Sequence, residues 1–99
     1  MARLQLDKKI IAEFCRRHHI RRLALFGSVL RDDFGPDSDV DVLVEFDPGT
    51  PVGMIGLAGI EIELGELVGR KVDLNTPGFL SRYYRDQVLG EAEVQYDAA

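Results

Sequence analysis

The chain has 99 residues, 45% of them apolar and 29% charged. That is the size and balance of one small globular domain, residues 1–99, with enough chain to close one core but not two. Cys15 is the single cysteine, no apolar run approaches the ~20 residues of a membrane span, and the net charge is −5. Together these exclude an internal disulfide and a membrane helix and argue against a phosphate-backbone binder, so a cytoplasmic protein with no direct nucleic-acid contact is expected.

In chain order, Asp7 reads as an N-cap ahead of Ile10, Ile11 and Phe14, an apolar stripe at helical spacing that should end near His18–His19. Leu23-Ala24-Leu25-Phe26 is a short apolar run suited to a buried strand. Gly27-Ser28 punctuates it, and Val29-Leu30-Arg31 opens a short helix expected to end in Phe34-Gly35-Pro36-Asp37. From Asp39 to Phe46 the pattern alternates: Val40, Val42, Val44 and Phe46 on one face, Asp39, Asp41, Leu43 and Glu45 on the other. After a turn at Pro48-Gly49-Thr50-Pro51, Leu57, Ile60, Leu64, Leu67 and Val68 repeat at helical spacing, although Gly59 and Gly65 weaken that helix, and Gly69 is a natural stop. Lys71-Val72-Asp73-Leu74-Asn75 is a further strand with Asp73 on its polar side. Phe79, Leu80, Tyr83, Gln87 and Val88 suggest a last helix beginning just past Pro77-Gly78, and Val94 and Tyr96 a short terminal strand. The result is an α/β (α+β) chain with a small mixed sheet of three to four strands and helices packed on one face.

Three features carry chemistry. Gly27-Ser28, between a strand and a helix, can offer backbone N–H groups and a hydroxyl to a phosphate; alone, such a turn is weak evidence. Asp39-Val40-Asp41 sets two carboxylates on one strand face with Cα atoms about 6.5–7 Å apart, able to reach a common Mg²⁺ or two adjacent ions; the plain alternative is a charged, solvated strand face. Asp is disfavoured in strands, and two on one face without a partner cost stability. Asp73 adds a third carboxylate on the next predicted strand, as a general base or further metal ligand, or as an ordinary surface residue.

Gly27-Ser28, ten intervening residues and then Asp39-Val40-Asp41 is similar to the G-S-x(10)-D-x-D signature of the DNA polymerase β-like nucleotidyltransferase superfamily. The flanks Leu25-Phe26, Arg31, Ser38, Val42-Leu43-Val44 and Lys71-Val72-Asp73-Leu74 resemble its minimal nucleotidyltransferase (MNT) branch, and the likeness runs from the first helix to Val94–Tyr96. The resemblance implies the nucleotidyltransferase fold and in-line transfer of a nucleoside monophosphate, AMP from ATP, with pyrophosphate leaving. It implies that Asp39 and Asp41 bind one or two Mg²⁺ ions, that Asp73 completes the carboxylate set and helps activate the acceptor hydroxyl, that Gly27 and Ser28 hold the phosphates, and that Arg31 and Ser38 support them. Minimal members commonly pair with a helical HEPN toxin encoded beside them and neutralise it, in some cases by adenylylating a tyrosine. The resemblance therefore implies a HEPN partner in a hetero-oligomer. Antibiotic-modifying relatives carry an additional acceptor-binding domain for which 99 residues leave no room, so the acceptor is expected in trans.

A non-catalytic antitoxin that masks its partner sterically and keeps a nucleotide site is the alternative function. A sugar transferase using Asp-x-Asp fits poorly, since it needs a larger nucleotide-sugar domain. His18 and His19 read as a helix end and Cys15 as packing. Arg16, Arg17, Arg21 and Arg22 read as a solvated basic cluster or a docking patch. Arg82, Tyr83, Tyr84 and Arg85 read as part of a half-buried helix or as contacts to a base or partner, and Met54 and Ile55 as an exposed apolar contact in a glycine-rich loop.

Overall fold

In a computed structural model of the protein, residues 6–30, 35, 37–50, 52–77 and 85–98 are described. Helix α1 (Lys8–Arg17) starts where the sequence places it: the Asp7 carboxylate accepts from the N–H groups of Lys9 and Ile10 at 2.9 and 3.2 Å. Strand β1 (Ile20–Phe26) runs into a single 3₁₀ turn (Gly27–Leu30), and strand β2 (Val40–Phe46) follows. Helix α2 (Met54–Val68), strand β3 (Val72–Asn75), helix α3 (Arg85–Glu91) and strand β4 (Glu93–Asp97) complete the order.

The four strands form one sheet in the order β3-β2-β1-β4. β1 is antiparallel to both neighbours, whereas β3 lies parallel to β2 and is reached through α2, the crossover that a parallel pair requires. Val40, Val42 and Val44 of β2 and Val72 and Leu74 of β3 share one core with Leu23 and Leu25 of β1, Ile11, Phe14 and Cys15 of α1, and Ile60 and Leu64 of α2. Helices α1 and α2 thus cover one face of a mixed sheet, as the alternation of β2 requires. No helix among the described residues is long and apolar enough to cross a membrane.

Four sequence expectations need correction or fall outside the described residues. Ile10 is 47% exposed; the buried stripe of α1 is Ile11, Phe14 and Cys15. The turn after β1 begins at Gly27 itself and is 3₁₀ rather than α through Leu30, while 31–34 and 36 lie outside the described residues. Met54 and Ile55 are not in a loop but form the first turn of α2, closed by the Leu57 N–H donating to the Gly53 carbonyl at 2.9 Å. They remain 78% and 91% exposed. The described part of the last helix is Arg85–Glu91, which includes Gln87 and Val88; Phe79, Leu80, Arg82, Tyr83 and Tyr84 lie outside the described residues.

The glycine that weakened the α2 reading has a packing reason. A Cβ on Gly65 would stand 3.0 Å from the Arg70 carbonyl oxygen, so this helix turn approaches the start of β3 more closely than a side chain allows. One turn earlier in α2, the Glu61 carboxylate accepts the Leu74 N–H at 2.7 Å and satisfies a donor on the edge strand β3. Leu74 is only 6% exposed. Glu61→Ala is expected to strand that N–H and cost about 1–3 kcal/mol in urea denaturation, whereas Glu61→Gln, which still offers a carbonyl oxygen, costs less.

Cys15 is fully buried and free, as packing requires. Burial pushes its thiol up from 9.0 to about 12, with a smaller opposing pull from Arg16. A pKa raised in the folded state means that the neutral thiol is the form the fold prefers. The associated stability is complete below the unfolded value and drains away as pH climbs through the folded one. Denaturation midpoints are expected to fall from pH 9 upward more steeply for the natural protein than for Cys15→Ala, and the native thiol should not react with thiol reagents at pH 8.

Candidate active site

The site is assembled at the end of the sheet where β1 stops and β2 and β3 begin. Phe26, the last residue of β1, pairs with Asp41, and Asp41 pairs in parallel register with Asp73. Because Val40, Val42, Val72 and Leu74 enter the core, Asp41 and Asp73 share the opposite face, one strand spacing apart, about 4.8 Å between backbones. Asp39 stands just ahead of β2 and is exposed. Farther along the same face, Leu43 and Ala24 pair across β2 and β1 and are both 2% exposed, so this side of the sheet is apolar immediately beyond Asp41.

Gly27 presses against Asp41. Its φ is +73°, and a Cβ built there would lie 2.2 Å from the Asp41 Oδ2 and 3.1 Å from Cγ. The turn therefore needs glycine twice over, for its left-handed backbone and for the carboxylate beneath it. Ser28 follows in the 3₁₀ turn, its hydroxyl donating to the Asp39 carbonyl at 3.5 Å. Glycine, serine and the two aspartates of the motif are thus brought to one place from sequence positions more than ten residues apart, and Asp73 joins them from β3.

Of the two residues expected to support the phosphates, only Ser38 is among the described residues. The Ser38 hydroxyl accepts the Gly35 N–H at 3.1 Å and so shapes the loop before Asp39. Arg31 lies outside the described residues. Sequence reasoning missed Arg70, whose guanidinium donates to the carbonyls of Gly35 and Ser38 at 2.6 and 2.9 Å. It also missed Glu61, which fixes the strand carrying Asp73. Both act across more than ten residues, and nothing in local spacing signals them.

The donor chemistry fits a hard divalent cation but not a protein cage. Among the described residues no group of three or more His, Cys, Asp or Glu could hold a metal ion. Neighbouring carboxylates, exposed at Asp39 and Asp73 and half-buried at Asp41 beside the Gly27 turn, are what Mg²⁺ takes when substrate phosphates and water complete its octahedron. The histidines set aside as a helix end are not drawn into this site. His18 Nε2 lies 2.5 Å from Glu63 Oε2, with Arg17 on the same carboxylate at 3.3 Å, so the pair ties α1 to α2. In the basic cluster, Arg21 and Arg22 meet Glu45 at 3.5 and 3.4 Å, and Arg22 also reaches Asp97 at 3.2 Å. These are ion pairs across β1, β2 and β4, and partly exposed ones contribute little to stability each.

The sequence profile of the nucleotidyltransferase domain matches residues 7–94. The chain belongs to this nucleotidyltransferase family. Among its relatives, a protein of Methanocaldococcus jannaschii named "Putative protein adenylyltransferase" is 33% identical to this nucleotidyltransferase over 88 residues, covering 89% of the chain and 91% of the relative. Solved structures share the fold. A chain of a toxin–antitoxin crystal structure with AMP-PNP superposes with a TM-score of 0.75 at 20% identity, covering 93% of this chain and 74% of that one. A chain from the complex of tri-AMPylated Shewanella oneidensis HEPN toxin with MNT antitoxin gives 0.67 at 20% identity, covering 91% and 69%.

Proposed function

We propose that this nucleotidyltransferase is an Mg²⁺-dependent adenylyltransferase that moves AMP from ATP onto a protein hydroxyl, a tyrosine of a helical HEPN toxin, and thereby acts as an antitoxin. The observation that carries the reading is the apposition of Gly27 and Asp41. A turn that can bind phosphate lies directly on a carboxylate that can bind the accompanying cation, with Asp73 in register one strand away. The named activity of the Methanocaldococcus jannaschii relative and the AMPylated toxin of the Shewanella oneidensis complex support the substrate class. A cytoplasmic setting, where ATP is supplied, goes with this reading.

In this reading the backbone N–H groups around Gly27 and Ser28, with the Ser28 hydroxyl, bind oxygens of the triphosphate. Asp39 and Asp41, with Asp73 beside them, would hold Mg²⁺, which when bound neutralises charge on the triphosphate and the leaving pyrophosphate. Asp73, exposed at the edge of the sheet, stands where an acceptor hydroxyl can approach, and takes up its proton. The acceptor oxygen forms a bond to the α-phosphorus as the bond from that phosphorus to the bridging oxygen breaks, and pyrophosphate carries away the electron pair. Most of the rate enhancement comes from holding the two substrates in line.

The test is incubation of the protein with ATP labelled at the α-phosphate, Mg²⁺ and the small helical protein encoded beside it, followed by mass spectrometry of the partner. Adenylyl groups on a partner tyrosine support the proposal. A tight complex with no label on the partner would replace it with steric neutralisation.

A further inference from the structure

Arg70 and Lys71 hold the segment that carries Asp39 from both sides. The Arg70 Nη2 donates to the Ser38 carbonyl at 2.9 Å and to the Gly35 carbonyl at 2.6 Å. The Lys71 carbonyl accepts the Val40 N–H at 2.9 Å. Asp39 lies between those two fixed peptide groups. The Ser38 N–H also donates to the Gly35 carbonyl at 3.1 Å, and the Ser38 hydroxyl accepts the Gly35 N–H, so Arg70 closes a turn that is already hydrogen-bonded to itself. Arg70 is in turn anchored at the end of α2, where its N–H donates to the Gly65 carbonyl at 3.2 Å. Two residues further on in the chain is Val72, the start of the strand that bears Asp73.

We propose that Arg70 is a positioning residue for nucleotidyl transfer: by bridging the Gly35 and Ser38 carbonyls it sets the direction of the Asp39 carboxylate relative to Asp41 and Asp73. It acts through the backbone of the loop. The inference rests on the proposed Mg²⁺–nucleotide reading of the site. A charged donor spanning two carbonyls is among the stronger hydrogen-bonding arrangements, and a guanidinium reaches both with one planar group where an ammonium holds them less rigidly. Losing it leaves the fold's core contacts in place but frees the loop.

The experiment compares the natural protein, Arg70→Gln, Arg70→Lys and Lys9→Gln, the last an equal charge change at an exposed position of α1. Three quantities are read: the affinity for a non-hydrolysable ATP analogue with Mg²⁺ by calorimetry, the Mg²⁺ concentration that half-saturates AMP transfer, and amide exchange at Ser38, Asp39 and Val40. Arg70→Gln is expected to weaken Mg²⁺-dependent nucleotide binding about tenfold or more, to raise the Mg²⁺ requirement similarly, and to speed exchange at those amides while exchange in β1 is unchanged. Arg70→Lys should recover part of each, and Lys9→Gln should match the natural protein. Binding and Mg²⁺ dependence unchanged in Arg70→Gln overturn the proposal, as does a loss that merely follows the fraction unfolded. Natural protein that binds no Mg²⁺–nucleotide overturns the functional reading itself, and that result is distinguishable because it appears before any variant is made.

Discussion

Asp41→Asn is expected to remove AMP transfer by about 10²–10³-fold or more while leaving the protein folded. The substitution conserves volume, exchanges one acceptor oxygen for an NH₂ donor and removes one negative charge from the middle of the site. Asp41 is flanked in register by Phe26 and Asp73 and lies under Gly27, so no other described carboxylate can take its place without a change in strand register. Losing one preorganised electrostatic group in an active site costs on the order of 3–4 kcal/mol of barrier. The core contributes nothing to this loss, because Asp41 is on the face opposite Val40 and Val42. Stability should therefore change by no more than about 1 kcal/mol in either direction. Transfer assayed beside thermal denaturation checks both halves. Retained transfer contradicts the assignment of Asp41, and a collapse in stability would make the aspartate structural.

Gly27→Ala should damage the same site by a different route. The left-handed backbone costs an alanine about 1–2 kcal/mol. The new methyl group must also displace the Asp41 carboxylate, since it would otherwise sit 2.2 Å from Oδ2. Gly49 supplies the control: it too has a left-handed φ, +81°, but nothing lies within 4 Å of its would-be Cβ. Gly49→Ala is expected to lose a similar amount of stability and keep full transfer. Gly27→Ala is expected to lose that stability and about 10²-fold of transfer, with a raised Mg²⁺ requirement. Equal transfer in the two variants would mean that the Gly27–Asp41 contact has no part in the chemistry.

Much of this site was legible in the sequence because its pieces obey local rules. The two-residue period of Val40, Val42 and Val44 turns Asp41 away from the core. The same period in Val72 and Leu74 turns Asp73 the same way, and Gly27-Ser28 ends a short apolar run suited to a buried strand. Asp7 caps α1 for a reason contained in three residues. What local rules do not carry is partnership across the chain. Nothing in the spacing says that β3 pairs in parallel with β2 so that Asp73 meets Asp41, or that β4 closes the other side of β1. Arg70 reads as one more basic residue before a strand until its loop partners are seen, and Glu61 as one more helix-surface acid until it meets Leu74. Met54 and Ile55 were misread because glycines at 53, 56 and 59 lower helix propensity, yet tertiary packing of Leu57 and Ile60 carries the helix through them. The expected role of the Ser38 hydroxyl comes from its place in a motif; that it also accepts the Gly35 N–H and shapes the loop is visible only in the fold.

In the proposed function, a nucleoside triphosphate with its cation binds where the turn at Gly27 meets the aspartates. The direct measurement is the two-dimensional amide spectrum of the labelled protein titrated with a non-hydrolysable ATP analogue and Mg²⁺, then repeated with a trace of paramagnetic Mn²⁺. Shifts are expected to concentrate at Gly27, Ser28, Asp39, Asp41 and Asp73, and Mn²⁺ to broaden the same amides while those of α1 stay sharp. Shifts centred elsewhere, or broadening that spares Asp39 and Asp41, would contradict this placement.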